Sequence, residues 1–363
     1  MKKKIVFCGG GTGGHIIPAL SLLNYFEKNE FNIFLVTDKR GQRFLNKDFN
    51  FFKILNVTSP FQKGLKNKFF SIIKLIFSFI SSFKILFKEK PDIVFGLGGY
   101  LSFPFCLAAR IIGIKVLIYE QNLILGRTNK ILSIFCKKIF LNSDKIINFD
   151  EKYRKKSIVI GNLTREEIKK HYFNKEKNLS DTKTIIILGG SQGALIFTDI
   201  IPKAIYKLKE KNYKIKIIQQ TMLEHVDQLK IFYRQCNIDN YIFSFDKNIL
   251  ELISKSDLAI SRCGASTLGE LAYLNVPFIG IPYPYAVNNH QHENALFYQK
   301  EGLCNLLKQK NLNLESLSDL LIKMLNNNLN FEKNNFFKNQ SDKALFNIKE
   351  EIEKIFNENS NSK

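Results

Sequence analysis

Apolar residues recur along this chain in short blocks separated by longer stretches of helical spacing. A block at 5–8 runs into glycines, residues 16–26 carry apolar positions at a helical period, and 32–36 is again a short apolar run. This predicts a strand, a helix and a second strand, one βαβ unit. Further blocks at 93–95, 116–119, 139–141 and 158–160, with helical stretches between them, predict a parallel sheet covered on both faces. After a lysine-rich polar stretch through Lys183 the pattern restarts with Thr184-Ile-Ile-Ile-Leu188 and continues through blocks at 214–218, 241–243, 258–260 and 278–281. The expectation is an α/β protein of two doubly wound parallel-sheet domains, residues 1–162 and 163–342, with a hinge near 161–165. A helix at about 343–357 is expected to pack back on the first domain, and a disordered tip to follow it.

Length agrees, since 363 residues exceed one ordinary core. A hydrophobic share of 45% and a charged share of 24% exclude global disorder. The formal net charge of +21 favours anionic partners: phosphorylated ligands, an anionic membrane or nucleic acid. The excess is mostly lysine, abundant together with Asn, Ile and Phe, as AT-rich codon usage also produces. The charge is spread along the chain and no nucleic-acid recognition signature accompanies it, so nucleic acid is not expected as a partner. The six cysteines lie far apart without a C-x-x-C pair, suggesting neither a zinc knuckle nor a disulfide framework, and a reducing cytosol fits. The apolar run after Met1-Lys-Lys-Lys stops at Gly9, too short for a signal peptide, and reads as the first strand.

Gly9-Gly-Gly-Thr12-Gly13-Gly14-His15 stands between strand and helix, where missing side chains let backbone N–H groups and the helix N-terminus approach an anion. It satisfies G-x-G-x-x-G, and Asp38 ends the next strand where dinucleotide enzymes place a ribose-binding acid. An NAD-dependent dehydrogenase is therefore a rival reading, and so is a turn whose glycines only pack helix on sheet. A second turn, Gly189-Gly-Ser191-Gln-Gly-Ala194, lacks the dinucleotide pattern but brings glycine backbone and a hydroxyl to a helix start. The third is Ser261-Arg-Cys-Gly-Ala265-Ser266-Thr267-Leu268-Gly-Glu270. There Ser266 and Thr267 fall at the phosphate end, and Glu270 can accept both hydroxyls of a ribose, unless it is merely a solvated helical glutamate. Paired turns suit a ligand shared between two domains, which a single dinucleotide fold does not require.

Gly98-Gly-Tyr-Leu-Ser-Phe-Pro104, Glu120-Gln-Asn122, Gly161-Asn162 with Arg165, and Asn288-Asn-His-Gln291 with Asn294-Ala295 take their places among these turns, as does Pro18. With these motifs in this order, over nearly its whole length, the chain resembles the MurG family. That family adds N-acetylglucosamine (GlcNAc) to undecaprenyl-pyrophosphoryl-N-acetylmuramyl-pentapeptide, converting lipid I to lipid II in peptidoglycan synthesis. The resemblance implies the GT-B fold, two Rossmann-like domains facing a cleft, with UDP-GlcNAc as donor, lipid I as acceptor and no metal or other cofactor. It also implies peripheral attachment at the cytoplasmic face of the cell membrane. Donor contacts are implied for Thr12, Gly13, Gly14, Asn122, Arg165, Ser191, Ala265, Ser266, Thr267, Leu268, Glu270 and Gln291, with backbone near Asp246 reading uracil. Arg165 and the helix start after Ser191 suit the charge that builds on a departing diphosphate, and Gln291, both donor and acceptor, suits sugar hydroxyls. Two positions depart from the family pattern. His290 stands where a Gln is usual, and Tyr119 stands where His often precedes Glu-Gln-Asn, so Tyr119 is read as a strand-end packing residue. A UDP-GlcNAc epimerase of the same architecture is a second rival.

Direct inverting transfer requires a base for the acceptor C4 hydroxyl. His15 is the candidate, because the positive end of the first helix dipole leaves its imidazole neutral and able to accept; a capping or acceptor-positioning role is the alternative. Residues 69–87 are long enough to suggest a membrane span. Ser71, Lys74, Ser78, Ser81, Ser82 and Lys88 fall on one polar stripe, however, and Lys63, Lys66, Lys68, Lys84 and Lys90 surround it. The expectation is an amphipathic helix lying on an anionic membrane surface through about 63–90, ahead of a core helix or a span.

Overall fold

The computed structural model describes residues 2–11, 13–45, 49–57, 65–173, 181–190, 194–326 and 335–360. It divides into two compact units, Met1–Arg165 with Asn339–Lys363, and Glu166–Lys338.

In the first unit β1 (Lys4–Cys8), α1 (Gly13–Lys28), β2 (Asn32–Thr37), α2 (Lys39–Gln42), β3 (Phe52–Ile54), α3 (Leu65–Glu89), β4 (Ile93–Gly96), α4 (Gly99–Ile111), β5 (Lys115–Glu120), α5 (Arg127–Leu132), β6 (Lys138–Leu141) and β7 (Ser157–Val159) follow in order. The strands form one parallel sheet in the order β3-β2-β1-β4-β5-β6-β7. The second unit contains α6 (Ile168–Phe173), β8 (Lys183–Leu188), α7 (Leu195–Glu210), β9 (Ile215–Gln220), α8 (Val226–Gln235), β10 (Asp239–Phe243), α9 (Ile249–Ser254), β11 (Leu258–Ser261), α10 (Ala265–Tyr273), β12 (Phe278–Gly280), α11 (His290–Lys300), β13 (Cys304–Leu306) and α12 (Leu314–Asn326). Its parallel sheet runs β10-β9-β8-β11-β12-β13. Both are the doubly wound, Rossmann-like sheets of an α/β protein. Helices on both faces explain the unbroken apolar strands: in β1, Ile5 and Phe7 join one core layer while Val6 and Cys8 join the other. The six cysteines are free thiols.

The edge strands β3 and β13 escape the apolar pattern because each has three residues, with β3 only partly buried and β13 burying Cys304 alone, too little for a pattern to show. The first unit extends to Arg165 rather than 162 for a local reason. Ile160 and Leu163 lie in its core, and the Tyr119 hydroxyl brackets the segment, donating to Gly161 O at 3.0 Å and accepting from Leu163 N at 3.2 Å. Tyr119 itself is buried and serves this packing.

Helix α13 (Phe336–Ser360) closes the chain and stays helical beyond 357. Ala344, Ile348, Ile352 and Ile355 recur at helical spacing and are buried in the layer that holds Phe7, Phe26, Phe95 and Phe140. Each buried Ile contributes roughly 2 kcal/mol of transfer free energy there. Lys138 with Glu351, at 3.1 Å, ties the same helix to β6.

Candidate active site

In a doubly wound sheet the helices change sides where the strand order reverses, and a crevice opens at the carboxyl ends of those strands. In the first unit the reversal falls between β1 and β4. The first glycine turn leaves β1, and Gly98-Gly99 leaves β4, so topology alone brings these two motifs together.

Several glycines of the first turn serve packing. A Cβ on Gly9 would come within 3.0 Å of His15 O, and one on Gly10 within 3.1 Å of the Asp38 carboxylate; Gly11 has φ +89° and donates its N–H to Asp38 Oδ1 at 2.9 Å. Asp38 Oδ1 also caps α2 through Gly41 N at 2.8 Å, while Oδ2 takes the Arg40 guanidinium at 3.2 Å. Burial pushes this carboxyl up, but the Gly41 and Gly11 N–H groups and Arg40 outweigh it and hold the group below its usual value. The acid that suggested a dinucleotide ribose site is thus engaged in holding the turn. Gly13 and Gly14 open α1, and Thr12 lies outside the described residues.

His15, the third residue of α1, lays its ring on the β4 turn. A Cβ on Gly98 would stand 3.0 Å from His15 Cε1, and one on Gly99 3.3 Å from Cδ2; both glycines have left-handed φ, +85° and +75°. The glycine pair therefore makes room for the imidazole. Nδ1 lies 2.9 Å from Leu97 O and 3.1 Å from Gln121 Nε2. Next to Gln121, the buried Glu120 carboxylate organises the loop after β5. Its Oε1 accepts from the backbone and side-chain nitrogens of Asn122 at 3.0 and 3.1 Å, and its Oε2 from Gly126 N and Asn129 Nδ2, both at 2.9 Å. Asn122 is held in place by this carboxylate. Arg165 closes the first unit.

In the second unit the reversal lies between β8 and β11. The second glycine turn leaves β8 and the third leaves β11, so these again meet at one crevice. Ser191 to Gly193 lie outside the described residues; α7 begins at Leu195, with Ala194 as its N-cap. Gly264, the N-cap of α10, has an ordinary φ of −71°, and a Cβ there would meet none of the described residues within 4 Å. Neither the backbone nor the described neighbours demand glycine at 264. Gly264 has no side chain with which to cap α10, so backbone alone stands at the N-cap, where the first N–H groups of the helix point. The side chains of Ala265 and Leu268 are buried, leaving only their backbone for a ligand. Glu270 is 4% exposed and is no solvated helical glutamate.

Gln291, in the first turn of α11, spends its acceptor internally: Oε1 accepts from Cys263 N at 3.1 Å and from Tyr283 N at 2.9 Å. Only its amide N–H groups remain for a sugar, which narrows the donor-and-acceptor role expected of it. Asn294 Nδ2 donates to Cys263 O at 3.1 Å, so α11 grips the third turn twice. His290 Nδ1 lies 2.8 Å from Val287 O and bonds its own turn. The Asp246 carboxylate is likewise local, accepting from Tyr241 Oη and Asn248 N, both at 2.7 Å, so the loop after β10 offers its backbone.

Arg262, quoted in the third motif without a role, is a structural clamp. Its Nη1 donates to Ile281 O and Pro282 O at 3.1 and 3.2 Å, and its guanidinium lies over Phe197 and Tyr283. Glu120 and Gln121 stand in the Glu120-Gln-Asn122 motif without a role, and Asn129 outside any motif, because their partners are distant in sequence or lie across a turn. Among the described residues no group of three or more His, Cys, Asp or Glu could hold a metal ion.

Helix α3 is amphipathic, with its serines on the side that is buried. Ser71, Ser78 and Ser82 are buried, where α3 packs on α4, and the Ser78 and Ser82 hydroxyls return hydrogen bonds to their own helix at 2.9 and 2.7 Å. Small residues let the two helices approach. Phe70, Ile72, Ile76, Phe77, Ile80 and Phe87 face outward instead, with Phe77 65% exposed, beside the exposed Lys74, Lys84 and Lys88. Phe70–Glu89 is long and apolar enough to cross a membrane. The side chains of Lys66 and Lys68, and Lys63 altogether, lie outside the described residues.

Known proteins match this arrangement throughout. The glycosyltransferase family 28 N-terminal domain matches residues 5–141 and its C-terminal domain residues 184–352. A UDP-N-acetylglucosamine–N-acetylmuramyl-(pentapeptide) pyrophosphoryl-undecaprenol N-acetylglucosamine transferase of Pelagibacter ubique is 41% identical over 99% of this chain and 100% of its own. The same enzyme of Rickettsia felis is 35% identical over 90% of this chain and 91% of its own. The crystal structure of Acinetobacter baumannii MurG superposes with a TM-score of 0.75 at 25% identity, covering 98% of this chain and 100% of that one. A UDP-GlcNAc 2-epimerase from Neisseria meningitidis, at 18% identity and a TM-score of 0.65, shares the fold.

Proposed function

This chain belongs to the MurG family of glycosyltransferases, and from that premise we propose that it moves GlcNAc from UDP-GlcNAc to the C4 hydroxyl of the MurNAc residue of lipid I, giving lipid II with inversion at the anomeric carbon. The observation that carries the residue assignment is the start of α10. The helix starts after Gly264, whose missing side chain lets a ligand approach the backbone, and the buried Glu270 lies about 7.5 Å along the axis, five residues at 1.5 Å each. The first element holds a diphosphate and the second a ribose diol, the two ends of a nucleoside diphosphate.

Ser191 and Arg165 add hydrogen bonds and positive charge for the departing UDP, the backbone beside Asp246 reads the uracil, and the Gln291 amide donates to a GlcNAc hydroxyl. Asn122, held by Glu120, and the first glycine turn contribute further polar contacts. His15 takes the acceptor proton as the C4 oxygen attacks and UDP leaves, so no covalent enzyme intermediate forms. Incubation with UDP-GlcNAc and a lipid I analogue yields the disaccharide lipid; release of UDP to water alone would overturn the acceptor assignment. His15→Ala lowers kcat at saturating substrates by about a hundredfold or more, and near wild-type turnover would remove the base assignment.

The outward apolar face of α3 with its lysines lies on the anionic cytoplasmic membrane surface, from which a lipid acceptor is reached. Serines returned to their own helix and an apolar face left outside are the arrangement a bilayer surface stabilises and water does not.

A further inference from the structure

His15 has two ring nitrogens, and only one can accept the acceptor's proton while the other carries hydrogen. We infer that Leu97 O and the Gln121 side-chain amide hold His15 in the tautomer protonated at Nδ1, which makes Nε2 the proton-accepting atom and Gln121 a positioning residue for the reaction. The catalytic part rests on His15 being the base; the tautomer does not.

The geometry leaves one consistent solution. Leu97 O is a backbone carbonyl, 2.9 Å from Nδ1, and a carbonyl only accepts. Leu97 itself is tied to the sheet, its N–H bonded to Cys8 O at 2.9 Å just after β4. A lone pair on Nδ1 would face that oxygen directly, so Nδ1 carries the proton. Gln121 Nε2, 3.1 Å from the same nitrogen, then cannot donate to it. Its Oε1 is buried and has no hydrogen-bond partner among the described residues. The orientation of a side-chain amide is set by its partners. Turned half a revolution, the amide presents Oε1 to the Nδ1 proton and satisfies that oxygen. Residue 121 is itself fixed, since its backbone O accepts from Asn142 Nδ2 at 2.8 Å.

The ring plane is set independently by Gly98 and Gly99, whose missing Cβ atoms leave the slot the imidazole fills. With the ring lying on two glycines and Nδ1 bound to two acceptors, the remaining freedom of His15 is small. When Nε2 takes a proton, the positive ring keeps both acceptors on its Nδ1–H, so the protonated state needs no rearrangement.

The test uses the full-length protein with 15N-labelled histidine, at a pH where the ring is neutral, with His15→Gln identifying the resonances of residue 15. A protonated Nδ1 and a pyridine-type Nε2 are expected in the wild type. In Gln121→Leu the Nδ1–H fraction falls and kcat drops about tenfold, one neutral hydrogen bond expressed as a rate, with KM for UDP-GlcNAc little changed. Gln121→Glu, which can only accept, keeps the Nδ1–H tautomer and recovers most of kcat. Melting temperatures identify any variant that fails to fold, and the Glu variant and the wild-type spectrum then still decide. A wild-type ring protonated at Nε2, or a Leu variant unchanged in both spectrum and kcat, would overturn the inference. An Nδ1–H spectrum together with full turnover by His15→Gln would instead remove His15 as base and leave the tautomer standing.

Discussion

The Gln291 side-chain oxygen accepts the backbone N–H of Tyr283 at 2.9 Å, and the same oxygen accepts that of Cys263 at 3.1 Å. One side chain thereby joins the turn after β11 to the loop after β12.

Gln291→Glu keeps an acceptor and loses the donor, whereas Gln291→Ala loses both. The Glu variant is expected to melt near the wild-type temperature and to fail in GlcNAc transfer, through the lost donor and a carboxylate near the donor's phosphates. The Ala variant loses about 1 kcal/mol as well, because two backbone N–H groups lose their partner. Thermal melts beside UDP-GlcNAc kinetics separate the two; equal stability in both variants would refute the bridge.

Gly98→Ala and Gly113→Ala form a matched pair. Both glycines have left-handed φ, +85° and +83°, so alanine costs roughly 1–2 kcal/mol at either. A Cβ at 98 also meets His15 at 3.0 Å, while one at 113 meets none of the described residues within 4 Å. Melting temperatures are expected to fall at both and kcat to collapse only for Gly98→Ala.

Asp38 makes stability depend on pH in a known direction. Its folded carboxyl titrates below its usual value. As pH falls past the ordinary carboxylate range the unfolded chain takes up a proton before the native protein does, and the contribution, complete at neutral pH, is lost toward the lower folded value. The melting temperature of the wild type is expected to drop more between pH 5 and pH 3 than that of Asp38→Asn, the pH limits being rough bounds on carboxylate titration. Parallel curves would exclude the carboxylate's role in holding Gly11 and Gly41.

Phe77→Glu and Ser78→Leu are neighbours with opposite expectations. Phe77 is 65% exposed and Ser78 2%. Phe77→Glu leaves stability within about 0.5 kcal/mol and weakens binding to anionic liposomes, while Ser78→Leu overpacks the α3–α4 contact and costs roughly 1–3 kcal/mol. Liposome sedimentation and thermal melts read the two effects separately; retention of Phe77→Glu on liposomes at wild-type levels would refute the membrane face.

Truncation after Lys338 removes the stripe of Ala344, Ile348, Ile352 and Ile355 and bares the core around Phe7, Phe26 and Phe95. The first unit of such a chain is expected to aggregate or bind a hydrophobic dye, with soluble yield as the measurement.

Local pattern determined much of this protein. Short continuous apolar blocks and stretches of period 3.6 marked the βαβ repeats, and glycine turns at strand ends marked where anions can approach, because both are properties of contiguous residues. The tertiary structure decided what those residues do. Asp38 looks like a ribose ligand in sequence and is an anchor for Gly11 in space; the serines of α3 form a polar stripe in sequence, and only the fold shows Ser71, Ser78 and Ser82 buried while Phe70, Phe77 and Phe87 face outward. Gln291 spends its oxygen on Cys263 and Tyr283, and His15 finds its partners at Leu97 and Gln121, some 80 and 100 residues away. Hydrogen bonds and packing reward whatever atoms the topology brings together, and the strand reversal beside β1 and β8, set by the whole sheet, is what brings these together.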